Sequence, residues 1–309
     1  MPGSARAASA RAASARLHIR RIRHRLGPAQ GGLAGTLLLS GPAFAYVSAV
    51  DATSPSTQAA LPRRTLHRFA NPGRFLRLTG WVMPWLWASA VVVLGVGVVW
   101  ALAFAPSDWQ QGQTVRIMFV HVPMAWLAMG GYTALAAASV ASLVWRHPLA
   151  DLFARELSPV GAAVTALCLL TGSIWGKPMW GAWWVWGDTR LLSVLVLFFL
   201  WLGHAALVRA FDETERGARA GAILALIGIV NIPIVKFSVD WWNTLHQPAS
   251  VTRLGAPSLH VDILYPLLVC ALGFTLLFAA TVLARTRAAV MERRIRALEL
   301  ARARQEDAA

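Results

Sequence analysis

Six long runs without a charged residue constrain this chain more than any other feature of its sequence. Each run is close to the ~20 residues that a helix needs to cross a bilayer. The chain is 57% hydrophobic with a mean hydropathy of +0.53, more apolar surface than a soluble domain can bury. The sequence therefore predicts an all-α integral membrane protein with six transmembrane helices, at 80–107, 117–145, 157–176, 191–208, 220–235 and 263–284.

The basic residues predict how these helices are oriented. The two terminal segments and the loops at 146–156 and 209–219 hold 24 of the 29 Lys and Arg residues. The other three loops share the remaining five. Such an excess on one side of the bilayer is the positive-inside pattern, which accounts for the net charge of +15 without a nucleic-acid partner. We expect both termini to be cytoplasmic and the three poorly charged loops to face outward.

Composition divides the chain into four segments. Residues 1–62 are rich in Arg, Ala and Ser without an acidic residue before Asp51, which predicts an extension that is disordered or not part of the natural protein. A targeting peptide is the alternative interpretation. Residues 63–79 are predicted to form a basic interfacial lead-in. The six-helix membrane domain follows at 80–284, and residues 285–309 form a basic cytoplasmic tail.

A stretch at 175–188 reads W-G-K-P-M-W-G-A-W-W-V-W-G-D and holds five tryptophans in 14 residues. We expect it to be a loop between two spans. Tryptophan anchors helices at membrane interfaces, but this density, interleaved with glycine, favours a platform that binds a flat ligand. If residues 180–187 are helical, Trp180, Trp183 and Trp184 share one face and Trp186 lies to the side.

Two histidines are predicted to lie on the same side of the membrane as this stretch. His121 stands two residues before Pro123 at the start of the second span, and His246 follows the W-W-N-T-L sequence of the third outward loop. His260 is the rival of His246 as a ligand. His204, deep in the fourth span, is predicted to be structural.

Two neutral imidazoles can supply both axial positions of a haem iron, and indole faces suit the porphyrin plane. A zinc site would need a third or fourth ligand. No C-x-x-C-H motif is present, so the chain has no site for covalent haem attachment. The two cysteines, Cys168 and Cys270, fall inside spans and are predicted to be small apolar fillers. Propionates could pair with four of the five outward cations, which are Arg116, Lys177, Arg190 and Arg253.

The chain resembles the haem exporter protein C family (cytochrome c maturation protein C), one of the tryptophan-rich haem-handling membrane proteins. The similarity covers about residues 65–284. It rests on G-W-x-x-P-W-L at Gly80, F-A-P-x-D-x-Q-Q-G at Phe104, H-V-P at His121, G-K-P-M-W-G-x-W-W-V-W at Gly176, N-x-P-I at Asn231 and S-V-x-W-W-N-T-L-H-Q at Ser238. The resemblance implies His121 and His246 as axial ligands of the haem iron. The haem-contacting set that we predict adds Trp175, Trp180, Trp183, Trp184, Trp186, Asp188 and Arg190.

The resemblance also implies a function without catalysis. Haem b would be held non-covalently at the periplasmic face of the bacterial inner membrane. It would pass to a periplasmic haem chaperone (CcmE), with an ABC transporter (CcmA, CcmB) and a small single-span partner (CcmD) assisting. One departure affects the site: the family pattern places Asp directly after the last Trp, whereas Gly187 intervenes here. In a helix, this extra residue would turn Asp188 by about 100°.

Three alternatives remain open. A haem lyase of the same superfamily would be an enzyme, but such proteins are larger and have additional spans. A respiratory membrane anchor with haem b would need pairs of histidines buried within its spans, where only His204 is predicted. A solute permease would place its site at broken helices near the bilayer midplane, and only the fifth span, with Asn231 and Pro233, hints at this.

Overall fold

The computed structural model describes residues 71–308, and this part of the chain is helical. A π-helical turn at Trp100–Phe104 and a 3-10 turn at Gln113–Ile117 accompany the α-helices. The predicted all-α class and the six spans are confirmed, since six helical stretches are long and apolar enough to cross a membrane. The α-helices are α1 (Pro72–Val99), α2 (Met118–Trp145), α3 (Pro148–Trp180), α4 (Thr189–Leu207), α5 (Thr214–Gly228), α6 (Asn231–Trp241) and α7 (Val261–Ala308).

Helix α1 begins at Pro72, eight residues before the uncharged run that predicted it. The Asn71 side chain accepts hydrogen bonds from the backbone N–H groups of Gly73 at 2.9 Å and Arg74 at 3.3 Å. Proline suits the first turn because its missing N–H would have no partner there. Part of the expected lead-in therefore belongs to α1. The extension at 1–62 and the start of the lead-in, residues 63–70, lie outside the described residues.

The first and last helices pack against each other along their length. A Cβ atom added to Gly273 would lie 2.6 Å from the Leu94 Cα, and one added to Gly97 would lie 3.0 Å from the Cys270 backbone nitrogen. Such distances require the two backbones to be in contact. Helix α7 then continues without a break through the predicted tail to Ala308. The tail is thus the end of one 48-residue helix.

The fifth span, at Thr214–Trp241, consists of two helices. Helix α5 ends at Gly228 and α6 begins at Asn231. The Asn231 side-chain amide donates a 2.9 Å hydrogen bond to the Ser193 carbonyl oxygen of α4. This bond ties the interruption to a neighbouring helix, which is how a broken span stays stable in lipid.

The main core lies between α2, α3 and α4, around the fully buried side chains of Trp201 and Tyr132. Their rings meet edge to face, with centroids 5.1 Å apart. His204 is buried beside this core, and its Nδ1 lies 2.6 Å from the Ser158 hydroxyl. His204 therefore has a hydrogen-bond partner on α3, as a structural histidine would.

Candidate functional site

One cavity of about 500 Å³ brings together residues that are far apart in the sequence. Its size falls in the range of roughly 300–1,000 Å³ that is usual for small-molecule sites. Helices α2, α3, α4, α6 and the start of α7 form its walls, together with the segments before α2 and before α7. The aromatic and imidazole side chains that line it are His121, Trp126, Trp175, Trp180 and His246.

His121 lies in the first turn of α2 and is oriented by α3. Its Nδ1 lies 3.0 Å from the Cys168 carbonyl oxygen and 3.1 Å from the Thr171 hydroxyl oxygen. That hydroxyl is 2.6 Å from the Leu167 carbonyl, to which it donates its own proton. Both neighbours therefore act as acceptors, so Nδ1 carries the imidazole proton. The Nε2 lone pair is left free, without a hydrogen-bond partner among residues 71–308.

Gly172 provides the space that this imidazole occupies. A Cβ atom at position 172 would lie 2.9 Å from the His121 Cε1. On the next turn of α3, the Trp175 ring meets the imidazole edge-on, with centroids 5.7 Å apart. The Trp175 indole N–H donates a 3.0 Å hydrogen bond to Gln111 Oε1. A glycine and a tethered indole thus fix the position of His121.

His246 lies in the segment between α6 and α7, where Asp188 and Trp180 contact it. Its Nδ1 is 3.4 Å from each carboxylate oxygen of Asp188. Its ring stands edge-on to Trp180, with centroids 4.8 Å apart. An ionised carboxylate only accepts hydrogen bonds. His246 Nδ1 is therefore also the donor, and its Nε2 is the free nitrogen.

Asp188 is the N-cap of α4 and is almost completely buried. Its Oδ1 accepts from the Leu191 N–H at 3.0 Å, and its Oδ2 accepts from the Leu245 N–H at 2.8 Å. Burial raises the pKa of Asp188, but the hydrogen bonds from Leu191 and Leu245 and the nearby His246 outweigh burial, so the pKa is lowered. Burial lowers the pKa of His246, although Asp188 opposes this shift. At neutral pH, Asp188 is charged and His246 is neutral.

The sequence predicted that the tryptophan-rich stretch is a single loop, but part of it is helical. Residues 175–180 form the last turns of α3, which ends at Gly181 with a φ of +74°. Lys177 holds this end by donating to the Gly181 carbonyl at 2.9 Å. The hypothesis of a helix over 180–187 is wrong, because glycine in the left-handed region ends α3. Asp188 consequently takes its position from α4, and the expected 100° helical turn does not apply.

The five tryptophans form two sets. Trp175 and Trp180 line the cavity, and Gly176 makes room for Trp180, because a Cβ there would lie 3.0 Å from the Trp180 ring. Trp183 and Trp186 are exposed, at 58% and 72%, and do not line the cavity. Trp184 packs edge-on against Trp186, with centroids 5.6 Å apart, and is also outside the cavity lining.

Two cations line the cavity. Arg190 donates from Nε to the Ser238 hydroxyl at 3.1 Å and from a terminal nitrogen to the Lys236 carbonyl at 3.3 Å. Among the described residues, Arg190 and Asp188 do not form an ion pair. Lys236 donates to both oxygens of Thr252 at 2.7 Å. The sequence prediction left out Lys236, although a lysine inside the otherwise apolar I-P-I-V-K-F run was a usable signal.

The other candidates lie elsewhere. His260, the rival of His246 as a ligand, does not line the cavity. It is exposed, and its Nδ1 lies 3.3 Å from the Asp262 carboxylate. His204 is also outside the lining. Arg116, Lys177 and Arg253 are likewise not brought to the cavity. Trp126, beneath His121 on α2, lines the cavity and was missed because it lies within an apolar span.

These features define a class of protein: a multi-pass helical membrane protein whose cavity is lined by indole rings and by two imidazoles with a free nitrogen each. Comparison with known proteins gives a family of the same class. The sequence model of the family described as heme exporter protein C matches residues 65–301. The chain belongs to the heme exporter protein C family, whose members are haem-transport components of cytochrome c biogenesis and not enzymes.

Relatives from several organisms match two thirds or more of this chain. Heme exporter protein C of Bradyrhizobium diazoefficiens is 56% identical over 239 residues, which cover 77% of this chain and 90% of the relative. The Escherichia coli K12 protein of the same name is 48% identical over 72% of this chain and 90% of its own length. A ccmC-like mitochondrial protein of Marchantia polymorpha, named for cytochrome c biosynthesis, is 42% identical over 67% of this chain and 85% of its own.

Proposed function

We propose that the cavity holds haem as cargo, with His121 and His246 as the two axial ligands of the iron. The observation that carries this proposal is the matched state of the two imidazoles. Each has Nδ1 committed to an acceptor and Nε2 free, and both line one cavity. A haem iron can take one neutral imidazole nitrogen on each face.

The rest of the lining suits the macrocycle. Trp175 and Trp180 present indole rings, which pack well against a flat aromatic system. Arg190 and Lys236 supply positive charge for two propionates. Within residues 71–308, no group of three or more His, Cys, Asp and Glu side chains could hold a compact metal ion. The donor set therefore fits haem iron better than a zinc ion.

The haem b in this proposal is bound without covalent attachment. The two free cysteines of the described chain are buried in spans. We infer that the cavity faces the periplasmic side of the inner membrane, because the positive-inside pattern predicts that side for the helix ends that line it. Haem would leave from that side to a periplasmic chaperone (CcmE), with ABC transporter subunits (CcmA, CcmB) and a single-span partner (CcmD) in the complex. The exposed indoles of Trp183 and Trp186 offer the chaperone a contact surface beside the cavity.

Absorption spectroscopy of the detergent-purified protein tests the ligands. His121→Ala and His246→Ala should each remove the low-spin Soret and α/β bands of a bis-imidazole haem. His204→Ala and His260→Ala are matched controls, because these histidines lie outside the cavity lining, and both should keep the bands. A wild-type spectrum in either of the first two variants would rule that histidine out as a ligand.

A second experiment tests the propionate partners and the orientation of the haem. Lys236→Met removes the charge that Thr252 holds at the wall, while Arg253→Met removes a cation that is next to Thr252 in the sequence and does not line the cavity. Haem affinity should fall in the first variant only. Equal affinities would place the propionates elsewhere.

A further inference from the structure

Asp188 has two structural tasks that involve different oxygens. Its Oδ1 caps α4 through the Leu191 N–H at 3.0 Å, and its Oδ2 accepts from the Leu245 N–H at 2.8 Å. The Asp188 residue is only 2% exposed. Each of its two carboxylate oxygens lies 3.4 Å from the Nδ1 of His246. A helix cap needs one oxygen only, and a serine hydroxyl serves as well. The second oxygen is explained by its neighbours Leu245 and His246.

We propose that Asp188 is a positioning residue whose carboxylate accepts the Nδ1 proton of His246 and makes His246 the stronger of the two haem ligands. The inference rests on the proposed function.

The first consequence concerns the tautomer of His246. A carboxylate held by two N–H donors stays an acceptor, so the imidazole proton stays on Nδ1 and Nε2 keeps its lone pair. Histidine ligands commonly donate their second N–H in this way, which fixes the ring and increases its basicity. Two contacts hold the His246 ring in the segment between α6 and α7. One is the hydrogen bond to Asp188, and the other is the edge-on contact with Trp180, whose ring centroid is 4.8 Å away.

The second consequence is an asymmetry between the two ligands. His121 donates its Nδ1 proton to neutral acceptors, the Cys168 carbonyl at 3.0 Å and the Thr171 hydroxyl at 3.1 Å. His246 donates to a charged one. A hydrogen bond to a charged acceptor is stronger than one between neutral groups, and it leaves more electron density on the imidazole. His246 therefore anchors the iron, and His121 is the ligand that an incoming haem acceptor displaces first.

Asp188→Ser separates the helix cap from the contact with His246. Serine keeps a cap for the Leu191 N–H but has no second oxygen for the Leu245 N–H and no carboxylate for His246. Asp262→Asn is the matched control, because Asp262 makes a similar 3.3 Å contact with His260 outside the cavity. The full chain is purified in detergent, loaded with haem, and measured for haem affinity and reduction potential.

We expect haem affinity to fall roughly 10- to 100-fold in Asp188→Ser, as for other outer partners of a metal ligand. A carboxylate that increases the basicity of His246 favours binding of ferric over ferrous haem. If the ratio of ferric to ferrous affinity falls tenfold in the variant, the reduction potential of the haem rises by about 59 mV for one electron. Asp188→Asn goes further. Its amide donates to Nδ1 and moves the proton to Nε2, as an Asn in place of Asp does in a catalytic triad. This variant should give five-coordinate high-spin haem that added imidazole returns to low spin.

The outcomes separate this inference from the proposed function. If His246→Ala abolishes bis-imidazole ligation while Asp188→Ser keeps wild-type affinity and potential, the positioning role is refuted and the haem site stands. If His246→Ala keeps the bis-imidazole spectrum, the proposed function itself fails.

A second comparison needs no variant of Asp188 and covers the case in which such variants do not fold. In His121→Gly the retained ligand is His246, and in His246→Gly it is His121. The first protein should hold haem at least tenfold more tightly than the second. Equal affinities, or the reverse order, would overturn the asymmetry.

Discussion

Gly172→Ala places one methyl group against the imidazole of His121. The added Cβ would lie 2.9 Å from the His121 Cε1, whereas carbon atoms in contact prefer about 3.5–4.0 Å. The ring must therefore move by roughly half an ångström or more, which is the tolerance within which a functional group has to be held. Neighbours restrict that movement, because Nδ1 is bound to Cys168 and the Trp175 ring lies 5.7 Å away.

Overpacking of this size costs about 1–3 kcal/mol. If the cost falls on the haem-bound geometry, haem affinity decreases roughly 5- to 150-fold. Titration of the apoprotein with haem, followed at the Soret band, measures the change. Gly130→Ala is the matched control, since it lies on α2 as His121 does and an added Cβ would meet nothing within 4 Å. Wild-type haem affinity in Gly172→Ala would refute the assignment of His121 as a ligand held by close packing.

Three further predictions concern stability and partner binding. Gly273→Ala should lower the thermal midpoint of the apoprotein, because the Cβ would lie 2.6 Å from the Leu94 backbone, while Gly95→Ala, with open space around it, should not. The apoprotein should lose stability as the pH falls below about 6.5. Burial lowers the pKa of His246 in the folded protein, so the unfolded chain binds the proton more readily. In a plot of thermal midpoint against pH, His246→Gln should reduce the slope in this range. If the periplasmic chaperone is the partner, as we propose, Trp186→Ala should weaken its capture of the haem-loaded protein in a pull-down. The Soret band should not change, since the ring is 72% exposed and outside the cavity lining.

The fold was largely predictable because a bilayer permits few architectures. Every backbone polar group in a span needs an internal partner, so uncharged runs of sufficient length are helices. Even the break in the fifth span carried its own signal, since Asn231 and Pro233 lie just after the end of α5. Helix ends were less predictable. Hydropathy ended the third span at 176, but polar capping at Gly181 sets the end of α3, and a hydropathy window does not detect caps.

The site was predictable in its residue types but not in its pairings. A shared side of the membrane was enough to group His121, His246 and the tryptophans as candidates. The contact between Asp188 and His246 joins residues 58 positions apart, and it depends on the path of the segment after α6, which has no periodic pattern. The division of the tryptophans was hidden for the same reason. A loop of five indoles looks uniform until the end of α3 is located.

The end of α3 at Gly181 also determines what the extra residue Gly187 does to Asp188. The segment from Gly181 to Asp188 is not helical, so an added residue does not rotate what comes after it. Asp188 is fixed from the other side, through the Leu191 and Leu245 N–H groups, and its own N–H closes a turn onto the Val185 carbonyl at 3.1 Å. That turn contains Trp186 and Gly187, both of which are exposed. With Gly187 between the last tryptophan and the aspartate, the Asp188 carboxylate still contacts His246.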